Sequence, residues 1–520
     1  MSVFLRSAGP RRTAAPSFPS TATGTGRMTY GPPVPLNGWR VVDVASSTFH
    51  LVILVHVALA ATLTVFGGCV PHLAAAAEQK ITHPVLIGGT HKRPSPTPTA
   101  TPAVPVPTLT GAAAVPIPSP SPVPAPTAAP VPAPAPAGSS SGSYQIGVLL
   151  ADESRMLSDR QAGIRLAVLE LRWDQWQPAS AMSSAAYRTA IATKAQHYRD
   201  AGFSVAIDLG LQHAPSWVTS APGAQLQAQT GQLSGTANFV FDQRVRSSAE
   251  AYLRDVVASV GPLAYVRVGL SASGETLYPE APDNQWWAFD PMATGARAGR
   301  PASIPASPLP GWVPGTPSVN GSPVTAAQAQ SWYKWYLGAS VDAHAWEIAA
   351  LRRAGYAGDV QLVMPGNGAN PWVYAHRVSS LLAPQSYDAY HTLNTGAVWQ
   401  EFLQRLPDRR GVVVDVSSVA DGSGSSTTRQ CQPGDSSVDY RTDSSVGSWS
   451  STRWLTYLAG RVGLPVIGEN PGKSSTATMA SAFQLMTGCH LRGLQWAWDY
   501  QLYDSRYASV TDLAEQVALH

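Results

Sequence analysis

Two glutamates stand where a carboxyl pair could act on a substrate held between them. Glu275 lies in the stretch SASGETLYPE, just after an apolar run, and Glu469 lies in the short string GEN after another. Hydrolysis of a glycosidic bond needs two such groups. One must be protonated at the leaving oxygen, and the other ionised on the opposite face of the sugar, as nucleophile or as base for water. Burial and neighbours must push their pKa values apart. Either residue taken alone could be an ordinary loop carboxylate. Asp174, Asp208, Asp388, Asp415 and Asp499 also lie near the ends of apolar runs and are alternatives for the second carboxyl. Of these, Asp208 is read first as a buried, hydrogen-bonded residue.

Around these carboxyls are groups that could hold a sugar. Trp173 in RWDQWQP, His213 and Trp217 in GLQHAPSWV, the pair Trp286 and Trp287, and Trp496 with Trp498 in QWAWDY all follow apolar runs. An indole can stack on the apolar face of a pyranose, and core packing is the equal alternative for each. His213 could hydrogen-bond a hydroxyl or be a satisfied structural histidine. Asn470 could position the sugar or cap the next turn. The chain has 16 Trp and 18 Tyr against 10 Phe, which suits either use. The three cysteines are not paired at short spacing, so they make no zinc pattern. No metal cluster, phosphate loop or serine elbow appears, and no metal or cofactor is expected. A net charge of +3, evenly spread, excludes a nucleic-acid partner as the main reading.

Eight short apolar runs must position these residues: 145–150, 165–172, 204–211, 265–270, 360–364, 411–416, 465–468 and 493–498. Helical stretches at 186–201, 247–260, 326–354, 397–406, 451–462 and 474–485 alternate with them. Alternation implies parallel strands joined by crossovers, and eight strands suffice to close a barrel. The expectation is an α/β fold, a (β/α)₈ TIM barrel over residues 143–520. A doubly wound open sheet is the rival, but no glycine-rich phosphate turn follows the first run. In such a barrel chemistry sits on the loops after the strands, where all the candidates above fall.

The ends of runs four, seven and eight, carrying Glu275, Glu469 and Trp496 with Trp498, resemble the retaining glycosidases of clan A, β-galactosidases among them. WDQWQP and HAPSWV are similar to the corresponding loops of those β-galactosidases. As a pattern the resemblance covers most of residues 144–505. It implies Glu275 as acid/base and Glu469 as nucleophile. One departure stands out: clan A has Asn just before the acid/base, and this chain has Gly274. SASGETLYP instead is similar to the acid-bearing loop of β-amylases, which share the barrel and invert configuration. The place of Glu469, directly after its strand, favours direct attack and retention.

The first 142 residues read differently. Residues 1–45 are basic and without period, as a disordered segment would be. Residues 46–70 contain an apolar run, 49–70, with no Lys, Arg, Asp or Glu, long enough for a bilayer of roughly 30 Å. It could be an uncleaved anchor, a cleaved signal, or a lipoprotein signal with Cys69 as the lipidated residue. Residues 71–142 form a Pro/Ala/Ser-rich linker, with 16 of the 45 prolines between Pro94 and Pro136. That segment should be extended polyproline II. Each reading of 46–70 places the barrel outside the cytoplasm, membrane-anchored or secreted. There Cys431 and Cys489 could form a disulfide, or remain two buried thiols. The whole reads as an extracytoplasmic, retaining glycoside hydrolase acting on an oligo- or polysaccharide. The alternatives are a non-catalytic carbohydrate-binding barrel on the cell surface and a structural lipoprotein.

Overall fold

A short apolar strand needs a hydrogen-bonded neighbour on each side, and the computed structural model shows how all eight runs find one. β1 (Gln145–Leu149) pairs in parallel with β2 (Leu166–Glu170) and, on its other side, with the last strand, β8 (Gly493–Trp496). Between them β3 (Ser204–Asp208), β4 (Tyr265–Val268), β5 (Asp359–Met364), β6 (Val412–Val416) and β7 (Val466–Asn470) follow in chain order. Every pairing is parallel and the ring is closed. The β1–β8 ladder, with Gly147 beside Gln495, excludes the open sheet. The described residues are 144–520, apart from 181, 280–284, 379–380, 382–392, 421–428 and 471. The segments 1–45, 46–70 with Cys69, and 71–142 lie outside them, as does Asp388. By its contacts the chain divides into Met1–Thr127 and Ala128–His520, and all described residues belong to the second unit. Among the described residues no helix is long and apolar enough to cross a membrane.

A principal helix follows each strand: α1 (Met156–Gln161), α2 (Ala185–Asp200), α3 (Gln243–Val260), α4 (Ala326–Arg353), α5 (Trp399–Arg405), α6 (Ser451–Arg461), α7 (Thr476–Gly488) and α8 (Val510–Leu519). Six begin at a side-chain N-cap: Ser184, Asp242, Thr325, Ser450, Ser475 and Ser509. Each oxygen accepts one of the backbone N–H groups that a first turn leaves open. Helix α3 begins before the expected residue 247 because Asp242 caps it. The sequence pattern also hid Arg246, a buried residue of the first turn that donates to the Phe239 and Val240 carbonyls and to Asp342. Helices α1 and α8 were not expected. The first spans six residues, too few to show a period. The second carries a reciprocal capping box, Ser509 with Asp512, which the sequence did display.

Inside the ring the strands follow one rule. Leu149, Leu166, Val168, Ala206, Tyr265, Val413, Ile467 and Ala497 pack together as the apolar filling. Two residues further along a strand the side chain points the same way. That step converts Val168 to Glu170, Ala206 to Asp208, Tyr265 to Arg267, Val413 to Asp415, and Ile467 to Glu469. The filling is therefore apolar below and charged at the C-terminal ends of the strands.

Candidate active site

Arg267 organises the charged layer. It reaches from β4 across the barrel, where Nη1 donates to Asp415 Oδ2 at 2.7 Å and to Gln495 Oε1 at 2.9 Å. Its Nη2 donates to Glu469 Oε2 at 2.5 Å, and its Nε lies 3.8 Å from Asp208 Oδ2. One guanidinium thus links strands β3, β6, β7 and β8. Burial works against its charge, but Glu469, Asp415 and Asp208 outweigh that cost and hold it protonated.

Glu275 enters the same region from the loop after β4. Two glycines let the chain fold back on itself. A side chain at Gly269 would meet the Gly274 carbonyl oxygen at 1.9 Å, and Gly274 has φ +74°. This is the physical reason for glycine where the clan A pattern has asparagine. The turn is then pinned from both sides. Ser271 Oγ accepts from the Glu275 amide at 3.0 Å, and the Thr276 amide donates to the Val363 carbonyl of β5 at 2.8 Å. The carboxylate accepts from Ser417 Oγ through Oε1 at 2.5 Å and from Ser273 Oγ through Oε2 at 2.8 Å. Ser417 follows β6 two positions beyond Asp415, so the end of one strand serves both halves of the site.

The electrostatics follow from enclosure. Burial raises Glu469 to about 8, with Arg267 opposing and the charges of Asp415 and Glu275 adding to the rise. Burial likewise raises Asp415 to about 6, again opposed by Arg267 and reinforced by Glu275. Carboxylates that share one cation titrate as a set. On the far wall, His213 Nε2 lies 3.1 Å from Glu170 Oε1, both half-buried. Arg172 forks onto Asp174 and lowers its pKa. Among the described residues no group of three His, Cys, Asp or Glu has metal-binding geometry.

The structure sorts the expected sugar-binding residues. Trp498 is half-buried, packs on the barrel filling and stacks parallel to the exposed Tyr500, with ring centroids 6.0 Å apart. Trp217 is also half-buried and donates to the Gln177 carbonyl. Four others are corrections, because each is sealed in the core. Trp173 stacks on Tyr252 at 5.4 Å. Trp286 packs edge-on against Trp332, Tyr333 and Tyr336 of α4. Trp287 donates to the Pro279 carbonyl, and Trp496 lies in the main core cluster. The long insertion after β4 buries its indoles against α4 instead of lining a cleft. Asn470 is a correction too. Fully buried, its Oδ1 accepts from the Gly472 amide and Ser474 Oγ, so it shapes the turn after β7. Cys431 and Cys489 are joined by a disulfide with Cα atoms 5.0 Å apart.

Sequence reasoning missed Arg267, Ser417 and Gln495, and ranked Asp415 low. The signal was present: YVRVGL and VVVDV each place one charge inside an apolar run. A buried charge requires a partner, and these two strands carry opposite signs.

No family model and no curated protein matches the sequence. Solved structures do match. The catalytic domain of β-amylase from Paenibacillus polymyxa aligns at TM-score 0.50 and 12% identity, over 72% of this chain and 97% of that one. The match is one of fold, an eight-stranded parallel (β/α)₈ barrel. Similar too are the β-galactosidases of psychrophilic Marinomonas ef1 and of Bacillus circulans sp. alkalophilus, both at TM-score 0.43, with 10% and 9% identity. Each alignment covers 72% of this chain, which spans only 58% and 55% of those two proteins. At these identities what is shared is the (β/α)₈ architecture.

Proposed function

We propose that this chain is an extracytoplasmic glycoside hydrolase that cleaves an oligo- or polysaccharide with Glu275 as acid/base and Glu469 as nucleophile. The observation that carries the reading is the contact of Glu469 with the Arg267 guanidinium, in the same electrostatic field as Glu275. Contact with a fixed cation favours the ionised form of Glu469 against the burial that raises it. Glu275, held by hydroxyls that can also accept, is free to carry and return a proton. The two come from β4 and β7, on different sides of the ring, so a sugar can lie between them. Trp498 and Tyr500 would offer it an apolar face, and His213 with Glu170 polar partners. The export half of the proposal draws support from the apolar run 46–70 and from the Cys431–Cys489 disulfide, a bond that persists in oxidising compartments.

The stereochemical outcome is proposed as retention, because Glu469 stands on β7 itself, close to any anomeric carbon at the mouth. Inversion is the second reading, favoured by the β-amylase-like string around Glu275. In that case both residues keep their places and Glu469 acts as base for water.

The test is a glycoside panel assayed with wild type, Glu275→Gln and Glu469→Ala. Each variant should lose on the order of 10²–10⁴ in kcat, the usual worth of a positioned acid or base. Azide should rescue Glu469→Ala as a glycosyl azide of inverted configuration. An early product anomer opposite to the substrate's would replace retention by inversion. Sugar binding by wild type without turnover, unchanged in both variants, would leave a carbohydrate-binding barrel.

A further inference from the structure

Every strand but β1 sends a polar side chain toward the charged layer: Glu170, Asp208, Arg267, Gln361, Asp415, Glu469 and Gln495, with Glu275 arriving from the β4 loop. This arrangement holds five carboxyls and one cation. Three of the carboxyls have other means of support. Glu170 faces His213 and keeps 34% of its side-chain surface exposed. Asp208, at 21% exposed, accepts from the Gly210 amide. Glu275 has its serine hydroxyls. Asp415 and Glu469 are left to divide Arg267 between them, one on each terminal nitrogen.

The two are not equivalent. Asp415 is completely enclosed, and its Oδ1 meets no hydrogen-bond partner. Inside the same barrel, the Gln495 Nε2 and both amide atoms of Gln361 are likewise buried without partners, so neither amide donates to the second Asp415 oxygen. Glu469 keeps 13% of its side-chain surface exposed at the mouth. A full charge without a donor on one oxygen is costlier in the sealed position than in the open one.

We propose that Asp415 is a positioning residue that carries the proton which one guanidinium cannot displace from two carboxyls, leaving Glu469 ionised and Arg267 aimed at it. Its neutral carboxyl still accepts from Arg267, so the guanidinium stays in place while its charge is directed to Glu469. Burial raises both groups, so the pair keeps one proton near neutral pH. The shifts alone would put it on Glu469, whereas the open edge of Glu469 against the sealed, donor-less Oδ1 of Asp415 puts it on Asp415. The consequence for catalysis rests on the glycosidase reading, whereas the proton's location does not.

Carboxyl ¹³C NMR on the full chain, labelled in Asp or in Glu alone, follows the two groups without substrate. Their signals are assigned by their loss in Asp415→Asn and Glu469→Gln. Glu469 should ionise first as pH rises and Asp415 last. In Asp415→Asn the Glu469 titration should stay within roughly half a unit of wild type, because the neighbour was already neutral. The acidic limb of kcat/KM should also stay where it is. The reverse order, or a Glu469 titration that falls by about a unit or more in Asp415→Asn, would place the proton on Glu469 and overturn the proposal. If that variant does not fold, the order of titration in labelled wild type still decides. An inactive enzyme with the expected order would count against the glycosidase reading alone.

Discussion

This barrel has two buried groups of carboxylates, and the proposed function uses only one of them. Inside, Asp415 and Glu469 touch a common guanidinium and reach the mouth through Glu469. Outside, between the β8 loop and helices α1 and α2, Asp159 and Asp499 are fully buried without a hydrogen-bonded cation between them. Asp499 accepts from the Asp152 amide, and its nearest cation, Arg155, is 3.7 Å away. Asp159 accepts from the Tyr503 hydroxyl. Burial raises both, Asp159 to about 6 and Asp499 to about 7. Shifted carboxyls alone therefore do not mark an active site. A fixed cation in contact, together with a path to the mouth, distinguishes the inner group from one that only costs stability.

Removing the cation should give the larger effect. Arg267→Met would leave Asp415 and Glu469 buried without compensation, which costs roughly 3–5 kcal/mol when one partner of a buried pair is deleted. The loss should depend on pH in a definite direction. Without Arg267 both carboxyls rise further above their unfolded values, so the folded state holds protons that the unfolded state releases. The gap between variant and wild type should be small near pH 4 and widen toward about pH 8, as read by urea unfolding. An equal gap at both ends would mean that Arg267 contributes packing and not charge compensation.

The disulfide provides a reference that touches neither group. Cys431 and Cys489 are 58 residues apart in sequence, and they close a loop between the segment after β6 and the end of α7. Replacing both by Ala should cost roughly 2–4 kcal/mol by freeing the unfolded chain. Unlike the Arg267 effect, this loss should be the same at low and high pH. A strong pH dependence would show that the bridge communicates with a titrating cluster.

How far the sequence reached follows the same division between inside and outside. All eight strands were legible, because an apolar run bounded by loops is a local signal. Glu275 and Glu469 stood out as carboxyls just past such runs. Arg267 and Asp415 did not, since a charge within YVRV or VVVDV reads as an interruption until the ring closes and sets the two side by side. The indoles failed in the opposite way. Trp286 and Trp287 follow a strand, as a sugar platform would, but their loop folds outward onto Trp332 and Tyr336 of α4. Composition does not say which side of a loop an aromatic ring will face.

The smallest predicted effect separates the outer group from catalysis. Asp499 directly follows Trp498, and its place at the end of an apolar run made it a candidate second carboxyl. In the folded chain its pKa is raised from 3.8 to about 7. Below about pH 4 both folded and unfolded states hold the proton, and stability does not change. Between that point and about pH 7 the unfolded chain ionises while the folded chain does not, so stability falls as pH rises. This is opposite to a salt-bridged carboxylate. Asp499→Asn keeps an acceptor for the Asp152 amide and removes the titration, so its melting curve should be flatter with pH. It should equal wild type near pH 4 and exceed it by a few degrees near pH 8. Its turnover should remain within a few-fold of wild type, because Arg155 at 3.7 Å does not offset its burial and its carboxyl accepts from the Asp152 amide. A loss of turnover as deep as that of Glu469→Ala, with Tm unchanged across the range, would move the second carboxyl to β8 and reverse the comparison.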